Sequence, residues 1–95
     1  MRNYEVMFIV KADLAEEDVK NEVSNLEKVI TDKGGKIVES KDLGQKKLAY
    51  EIEKQVRGYY HLLNVECDSA AIKEFDRRAS LDEKVLRHLI IKEEE

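Results

Sequence analysis

Hydrophobic positions along the chain repeat with two different periods, which predict four β-strands and two α-helices. Residues 2–10 are rich in β-branched and aromatic residues, which is typical of a strand, and the apolar patterns of residues 36–52, 59–67 and 85–91 also indicate strands. Apolar residues recur every three or four positions from Asp13 to Gly34 and from Asp68 to Leu81, which is the period of a helix that buries one face. The resulting order is βαββαβ.

This order predicts a single domain that spans residues 1–95. Two right-handed split βαβ units combine into a four-stranded antiparallel sheet with both helices on one face. The predicted fold class is therefore α+β, in the ferredoxin-like arrangement. The charged end at residues 92–95 is expected to fray.

The ends of both helices carry recognisable signals. Asp13-Leu14-Ala15-Glu16 has the spacing of a capping box. In such a box the Asp13 carboxylate accepts a hydrogen bond from a backbone amide of the first turn, and the Glu16 side chain accepts one from the Asp13 amide. Gly34-Gly35 supplies a C-terminal stop, and Asp68-Ser69 is expected to cap the second helix. The core-facing residues should be Val19, Val23, Leu26 and Ile30 in the first helix and Ile72, Phe75 and Ala79 in the second.

The long second strand changes its apolar face near Gly44. Its apolar positions are odd-numbered before this glycine and even-numbered after it, namely Ile37 and Leu43 and then Leu48, Tyr50 and Ile52. Because side chains alternate between the faces of a strand, a change of parity indicates a β-bulge. Residues 53–58 are polar and are expected to form the turn of a long hairpin with a basic tip.

Two helices can cover only one side of a four-stranded sheet, so the other side of a monomer should be polar. This chain departs from that expectation. If Leu86 and Ile90 of the last strand point toward the helices, the opposite face carries Met7, Ile9, Tyr60, Leu62, Leu89 and Ile91. An exposed apolar patch on the order of several hundred Å² usually marks a partner site. We therefore predict a protein partner on this face, with self-association of two copies as the alternative.

The stretch from Leu43 to Tyr60 combines cations and aromatic rings. It holds four basic residues, three tyrosines, two glycines and only two acids. The basic residues are Lys46, Lys47, Lys54 and Arg57, with Tyr50 and Tyr59 beside them. Cations bind phosphates and flat rings pack on bases or sugars, so the stretch predicts a nucleic-acid surface. The alternative is a solvated hairpin whose lysines keep a sheet edge soluble.

The net charge of −4 argues against a polyanion partner, but its distribution does not. Residues 13–32 carry seven acids and two lysines, a local net charge of −5, which leaves +1 for the rest of the chain. One helix thus carries the acid, and the remaining surface is free to face RNA. Cys67 is the lone cysteine, and the sequence shows neither a membrane-spanning run nor a leader, so we expect a cytoplasmic protein.

The sequence predicts no catalytic site, no metal site and no cofactor. His61 and His88 fall in predicted strands, with no carboxylate, cysteine or second histidine at ligand spacing, so we interpret both as structural or surface histidines. Arg57-Gly58-Tyr59-Tyr60 begins like the aromatic signature of RNA-recognition motifs. His61 then replaces the first phenylalanine and the final ring is missing, so base stacking on the sheet is not expected.

Three runs of the sequence resemble a known family. MRNYEVMFIV, LGQKKLAYEIEKQVRGYYHLLNVE and LDEKVLRHLIIK are similar to the bacterial family of small-subunit ribosomal protein six, and the resemblance covers nearly the whole chain. It implies a ferredoxin-like fold and a structural role, the binding of small-subunit ribosomal RNA jointly with ribosomal protein eighteen. It also implies that the acidic end, residues 93–95, is a candidate for extension with glutamates.

We therefore assign two sets of residues to two ligands. Contacts to RNA are predicted for Arg2, Lys46, Lys47, Tyr50, Lys54, Arg57, Tyr59 and Arg87. The apolar sheet face is predicted to seat ribosomal protein eighteen. The alternative function is a homodimeric ferredoxin-like regulatory domain or small enzyme that uses this face for self-association.

Overall fold

The computed structural model describes residues 2–93 of the chain. Its elements follow the predicted order: β1 (Arg2–Lys11), α1 (Glu16–Asp32), β2 (Lys36–Ile52), β3 (Gln55–Cys67), α2 (Ser69–Leu81) and β4 (Val85–Lys92). The strands form one sheet in the order β2-β3-β1-β4, and each neighbouring pair is antiparallel. The predicted ferredoxin-like α+β fold is confirmed.

The main core lies between the sheet and the two helices. β1 and β3 direct alternate residues into it, and each helix covers them with one apolar face. Its fully buried members include Val6, Phe8 and Val10 of β1, Leu63 of β3, Ile30 of α1 and Phe75 of α2. Burial of each large apolar side chain stabilises the fold by about 1.5–3 kcal/mol. The predicted core residues of α1 all pack here, although Val23 is only half-buried.

The predicted capping box at the start of α1 is wrong. The helix begins at Glu16 with Ala15 at the N-cap, and among the described residues no side chain caps it. Asp13 lies two residues too early, and its Oδ2 instead accepts a 3.4 Å hydrogen bond from Gln55 Nε2 of the hairpin. The helix start relies on its acidic first turn, residues 16–18, because carboxylates there interact favourably with the helix dipole.

The predicted glycine stop of α1 is confirmed. Gly34 has a φ of +83°, a left-handed conformation that favours glycine. The Gly35 amide donates to the Ile30 carbonyl at 2.9 Å. A Cβ on Gly35 would lie 2.7 Å from Ile30 Cγ2 and 2.8 Å from Cys67 Cβ. The first glycine is therefore needed for its backbone angle and the second for the close approach of α1 and β3.

α2 begins at the predicted position, but its cap is made by the backbone. Asp68 is the N-cap residue, and its carbonyl accepts from the Ala71 and Ile72 amides at 3.1 and 3.3 Å. Within residues 2–93 no side-chain cap is formed at this end of the helix. Ile72, Phe75 and Ala79 are all buried, as their spacing predicts.

The bulge predicted in β2 is confirmed. The pairing of β2 with β3 shifts register between Asp42 and Gly44, and Gly44 has a φ of +80°. Before the bulge, Ile37 packs against the main core. After it, Leu48 and Ile52 are buried in a second cluster. The parity change in the sequence therefore reports a real exchange of faces.

The turn of the hairpin is shorter than predicted. The sequence indicates a turn over residues 53–58, whereas β3 already begins at Gln55. The turn consists of Glu53 and Lys54, whose φ values are +48° and +66°. Two-residue hairpin turns with both central φ values positive usually carry Asn or Gly. This turn carries neither, so the sequence lacks the signal that would locate it.

The second cluster lies on the side of the sheet that faces away from the helices. It contains Ile9, Leu48, Ile52 and Leu86, with Tyr60 packed against them. The expectation that Leu86 points toward the helices is wrong. The pairing of β1 with β4 shifts between Ile9 and Val10, so Val85 enters the main core and Leu86 turns to the opposite face.

β4 extends one residue beyond its predicted end. Lys92 pairs with Tyr4, and the Glu93 amide donates a 2.9 Å hydrogen bond to the Asn3 carbonyl. Glu94 and Glu95, the remainder of the end that is expected to fray, lie outside the described residues. Within residues 2–93, neither helix is long and apolar enough to cross a membrane.

Candidate RNA and protein interface

The sheet register brings the predicted partner residues onto one face. Cross-strand partners in an antiparallel sheet point to the same side, and three rows follow from the pairing of β3, β1 and β4. The rows are Leu62–Met7–Leu89, Tyr60–Ile9–Arg87 and Asn64–Glu5–Ile91. All six apolar residues singled out in the sequence therefore share the side away from the helices, which we call the open face.

The six apolar residues differ in how much surface they offer. Leu89 is 52% exposed and Ile91 48% exposed, and Met7 and Leu62 are half-buried. Ile9 is only 8% exposed because it belongs to the second cluster. The surface available to a partner is thus centred on Met7, Leu62, Leu89 and Ile91.

Gly58 gives Ile9 the space to reach across the open face. Gly58 pairs with Lys11 of β1, and a Cβ at Gly58 would collide with Ile9 Cγ2 and lie 3.6 Å from Leu48 Cδ2. The glycine that resembles an RNA-recognition signature is therefore required by packing between β1 and the hairpin.

Two of the predicted RNA contacts lie on the open face beside the apolar rows. Lys46 pairs with Gly58, and its Nζ lies 5.9 Å from the centroid of the Tyr60 ring, a distance at which a cation is attracted to the ring face. Arg87 occupies the Ile9 row, and its Nη1 donates to the Leu86 carbonyl at 3.2 Å. Cations and apolar side chains thus form one continuous surface.

Other predicted RNA contacts lie elsewhere on the hairpin. Lys47 pairs with Arg57, and strand alternation turns both away from the side that Lys46 occupies. Lys54 lies in the turn, and Tyr50 is 65% exposed. Tyr59 packs partly buried against the main core, which leaves less of its ring for RNA.

Arg2, although it is predicted to contact RNA with the hairpin cations, lies far from them. Arg2 pairs with Cys67, whereas Lys46 pairs with Gly58 at the other end of β3. Nine residues of strand correspond to roughly 30 Å. Because β1 runs antiparallel to β3, its first residue lies at the far end of the sheet. Lys11, which sequence reasoning missed, is the residue of β1 that lies beside Gly58 on the open face.

His61 is a structural histidine, as predicted. It is buried, its ring centroid lies 5.4 Å from that of Phe8, and its Nε2 is 2.7 Å from Ser40 Oγ. The Ser40 hydroxyl also donates to Glu27 Oε1 at 3.0 Å, so Nε2 is the donor to Ser40 in this arrangement. Burial lowers the pKa of His61, against the opposing charges of Glu27 and Asp42. The network ties β2 and β3 to α1.

Outside the open face, Glu22 is a buried carboxyl group. It is 5% exposed, and its Oε2 lies 3.9 Å from Lys84 Nζ. Burial and the neighbouring Asp82 carboxyl raise the pKa of Glu22 to about 7, and Lys84 offsets only part of that shift. Among residues 2–93, no group of three His, Cys, Asp or Glu side chains is arranged to hold a metal ion.

Comparisons with known proteins agree with this geometry. A family model described as "Ribosomal protein S6" matches residues 3–92. The crystal structure of 30S ribosomal protein S6 from Thermotoga maritima is 30% identical in sequence and superposes with a TM-score of 0.92. The match covers 97% of this chain and 87% of that one.

Proposed function

The chain belongs to the ribosomal protein S6 family of the small ribosomal subunit, and from this membership we propose that it binds small-subunit ribosomal RNA together with ribosomal protein eighteen. The role is structural, without a catalytic step, and is exercised in the cytoplasm as part of the ribosome. The observation that carries the proposal is that cations lie beside apolar rows on the open face: Lys46 lies over the Tyr60 ring, and Arg87 stands in the row next to Leu62–Met7–Leu89.

RNA contacts are assigned to the hairpin cations. Lys46, Lys47, Lys54 and Arg57 lie on or near the tip of the β2–β3 hairpin, and each cation that neutralises a phosphate releases counterions. A protein with a net charge of −4 and few such contacts should bind RNA weakly alone. We infer that a partner protein supplies the remaining affinity.

The apolar rows are assigned to that partner. Leu89 and Ile91 are each about half exposed, and full burial of each would contribute about 1 kcal/mol. Met7 and Leu62 extend the same surface toward β3. Ribosomal protein eighteen seated there would lie next to Lys46 and Arg87, so RNA that contacts these cations could also contact the partner.

The hairpin presents cations on two sides, which gives the proposal a specific test. Lys46 shares the open face with Tyr60, whereas Lys47 and Arg57 point to the other side. Lys46→Ala and Lys47→Ala are compared singly and together in RNA binding assays over a series of salt concentrations. Each lost phosphate contact should reduce the magnitude of the salt slope by about 0.7–0.9.

The matched control for these variants is Lys20→Ala with Lys28→Ala, which removes two exposed lysines from α1. We expect the double hairpin variant to weaken RNA binding and flatten its salt dependence, while the control behaves as the wild type. Equal salt slopes for the wild type, the hairpin variant and the control would refute the assignment of RNA to the hairpin.

A further inference from the structure

The open face has carboxylates at the end opposite its cations. Glu5 lies in the Asn64–Glu5–Ile91 row, and Glu66 pairs with Asn3 in the next row. Both carboxylates lie on the two central strands and are half-buried. On β1, β3 and β4 the face therefore runs from acidic through apolar to basic over its five rows, while the edge strand β2 adds Lys36 and Lys41.

The acidic end is only partly neutralised within the chain. The cross-strand neighbours of Glu5 are Asn64 and Ile91, so the described part of its row places no cation beside it. Lys36 pairs with Glu66 from the edge strand. A half-buried carboxylate interacts more strongly with an added cation than a fully solvated one does.

We propose that the open face binds a basic amphipathic protein segment whose cations contact Glu5 and Glu66 and whose apolar side chains cover Met7, Leu62, Leu89 and Ile91. This inference rests on the proposed function, and it adds the chemistry and the orientation of the partner. The cationic side of the segment lies at the acidic end, and the basic end around Lys46 and Arg87 stays free for RNA.

Charge favours the basic protein segment over two other possible occupants of the open face, an RNA strand and a second copy of the chain. An RNA strand at the acidic end would place phosphates beside Glu5 and Glu66, which costs like-charge repulsion. A second copy of the chain, turned end for end, would bring acids onto cations. It would then cover Lys46 and Arg87, the residues that the proposed function assigns to RNA.

The test uses two probes. The first is a pair of synthetic amphipathic peptides with the same apolar residues, one with lysine and one with glutamate at the polar positions. The second is purified ribosomal protein eighteen. Binding of both probes is measured by calorimetry to the wild-type chain, to Glu5→Gln with Glu66→Gln, and to Leu89→Asp. The control is Glu17→Gln with Asp32→Asn, which removes two exposed charges from α1.

We expect the lysine peptide to bind and the glutamate peptide not to bind. The Glu5→Gln, Glu66→Gln variant should weaken lysine-peptide binding about tenfold at low salt and much less at about 0.5 M salt, because salt screens these pairs. The control variant should bind as the wild type does. Equal binding of the two peptides, or an unchanged affinity for the Glu5→Gln, Glu66→Gln variant, would overturn the inference.

The two proposals fail in distinguishable ways. If Leu89→Asp abolishes binding of ribosomal protein eighteen and Glu5→Gln with Glu66→Gln has no effect, the partner surface stands and its charge assignment is wrong. If the peptides behave as expected and ribosomal protein eighteen does not bind, the partner's identity is wrong and the charge assignment stands. If the wild-type chain sediments as a dimer and Leu89→Asp dissociates that dimer, the occupant of the open face is a second copy of the chain and not a basic segment.

Discussion

At Gly58, the absence of a side chain lets Ile9 cross from β1 to the hairpin and reach Leu48. This contact closes the second cluster and fixes the position of Tyr60, whose ring lies beneath Lys46. The sequence signal was ambiguous because a glycine between a basic and an aromatic residue also occurs in RNA-recognition motifs. The packing distance resolves it, since a Cβ would collide with Ile9 Cγ2.

Gly58→Ala should therefore destabilise the fold by about 1–3 kcal/mol, the range for overpacking in a closely packed site. The free energy of unfolding in urea measures this cost. In the Ile9→Ala background the added methyl group meets no Cγ2, so the cost of Gly58→Ala should be much smaller. Equal costs in the two backgrounds would contradict the packing role of the glycine.

Glu22 should make the stability of the chain depend on pH around neutrality. Its pKa is raised to about 7 in the folded protein, so between its unfolded pKa of about 4.5 and pH 7 the folded state binds more protons. Folding stability should therefore fall as pH rises through this window, by about 3 kcal/mol in total.

Glu22→Gln removes this titration, so its stability should change less between pH 5 and pH 8 than that of the wild type. Thermal or urea unfolding at a series of pH values makes the comparison. Glu17→Gln, at an exposed position of the same helix, is the control and should keep the wild-type dependence. A wild type that gains stability from pH 5 to pH 8, relative to Glu22→Gln, would contradict the raised pKa.

At the scale of secondary-structure elements, the periodic hydrophobic patterns predict the structure better than the local capping motif does. The helical spacing of Val19, Leu26 and Ile30 and the parity change at Gly44 both predict structure that is confirmed, because burial on one face is a property of many residues together. The capping box at Asp13 fails because a single hydrogen bond depends on where the helix begins, and contact with Gln55 competes for the same carboxylate.

The candidate site shows the same difference: a regular pattern predicts which face a residue lies on, but it does not predict individual contacts. Alternation placed all six apolar residues on the open face correctly, since a strand's period is regular. It could not show that Ile9 is covered by the second cluster or that Leu86 changes sides at a register shift. Arg2 lies at the far end of the sheet from Lys46, which follows from the antiparallel strand order and not from its residue type.

The hairpin turn offers a stabilising substitution. Glu53 and Lys54 both have positive φ values, which cost a residue with a side chain roughly 1–2 kcal/mol. Replacement by Asn-Gly, the preferred pair for such turns, should raise the free energy of unfolding by about 1 kcal/mol. The same variant removes the Lys54 charge, so Glu53→Asn with Lys54 retained separates the effect on stability from any effect on RNA. A lower melting temperature for the Asn-Gly variant would contradict the turn geometry.

In the whole molecule, the helices and the open face have different charges and serve different purposes. α1 has six acids and two lysines, a net charge of −4, on the side of the sheet away from the open face. The open face combines an acidic end, apolar rows and a basic end within one sheet. This arrangement supports the proposed role of a scaffold that holds a protein and an RNA side by side, and that proposal predicts that the two ligands bind cooperatively.

Cooperativity is tested by measuring RNA affinity with and without ribosomal protein eighteen, for the wild type and for Leu89→Asp. Leu89 is exposed, so this substitution should leave cooperative unfolding intact. We expect the partner to increase the RNA affinity of the wild type but not of Leu89→Asp, while the weak, salt-dependent affinity for RNA alone is the same for both. An equal increase for the two proteins would contradict a partner site on the open face.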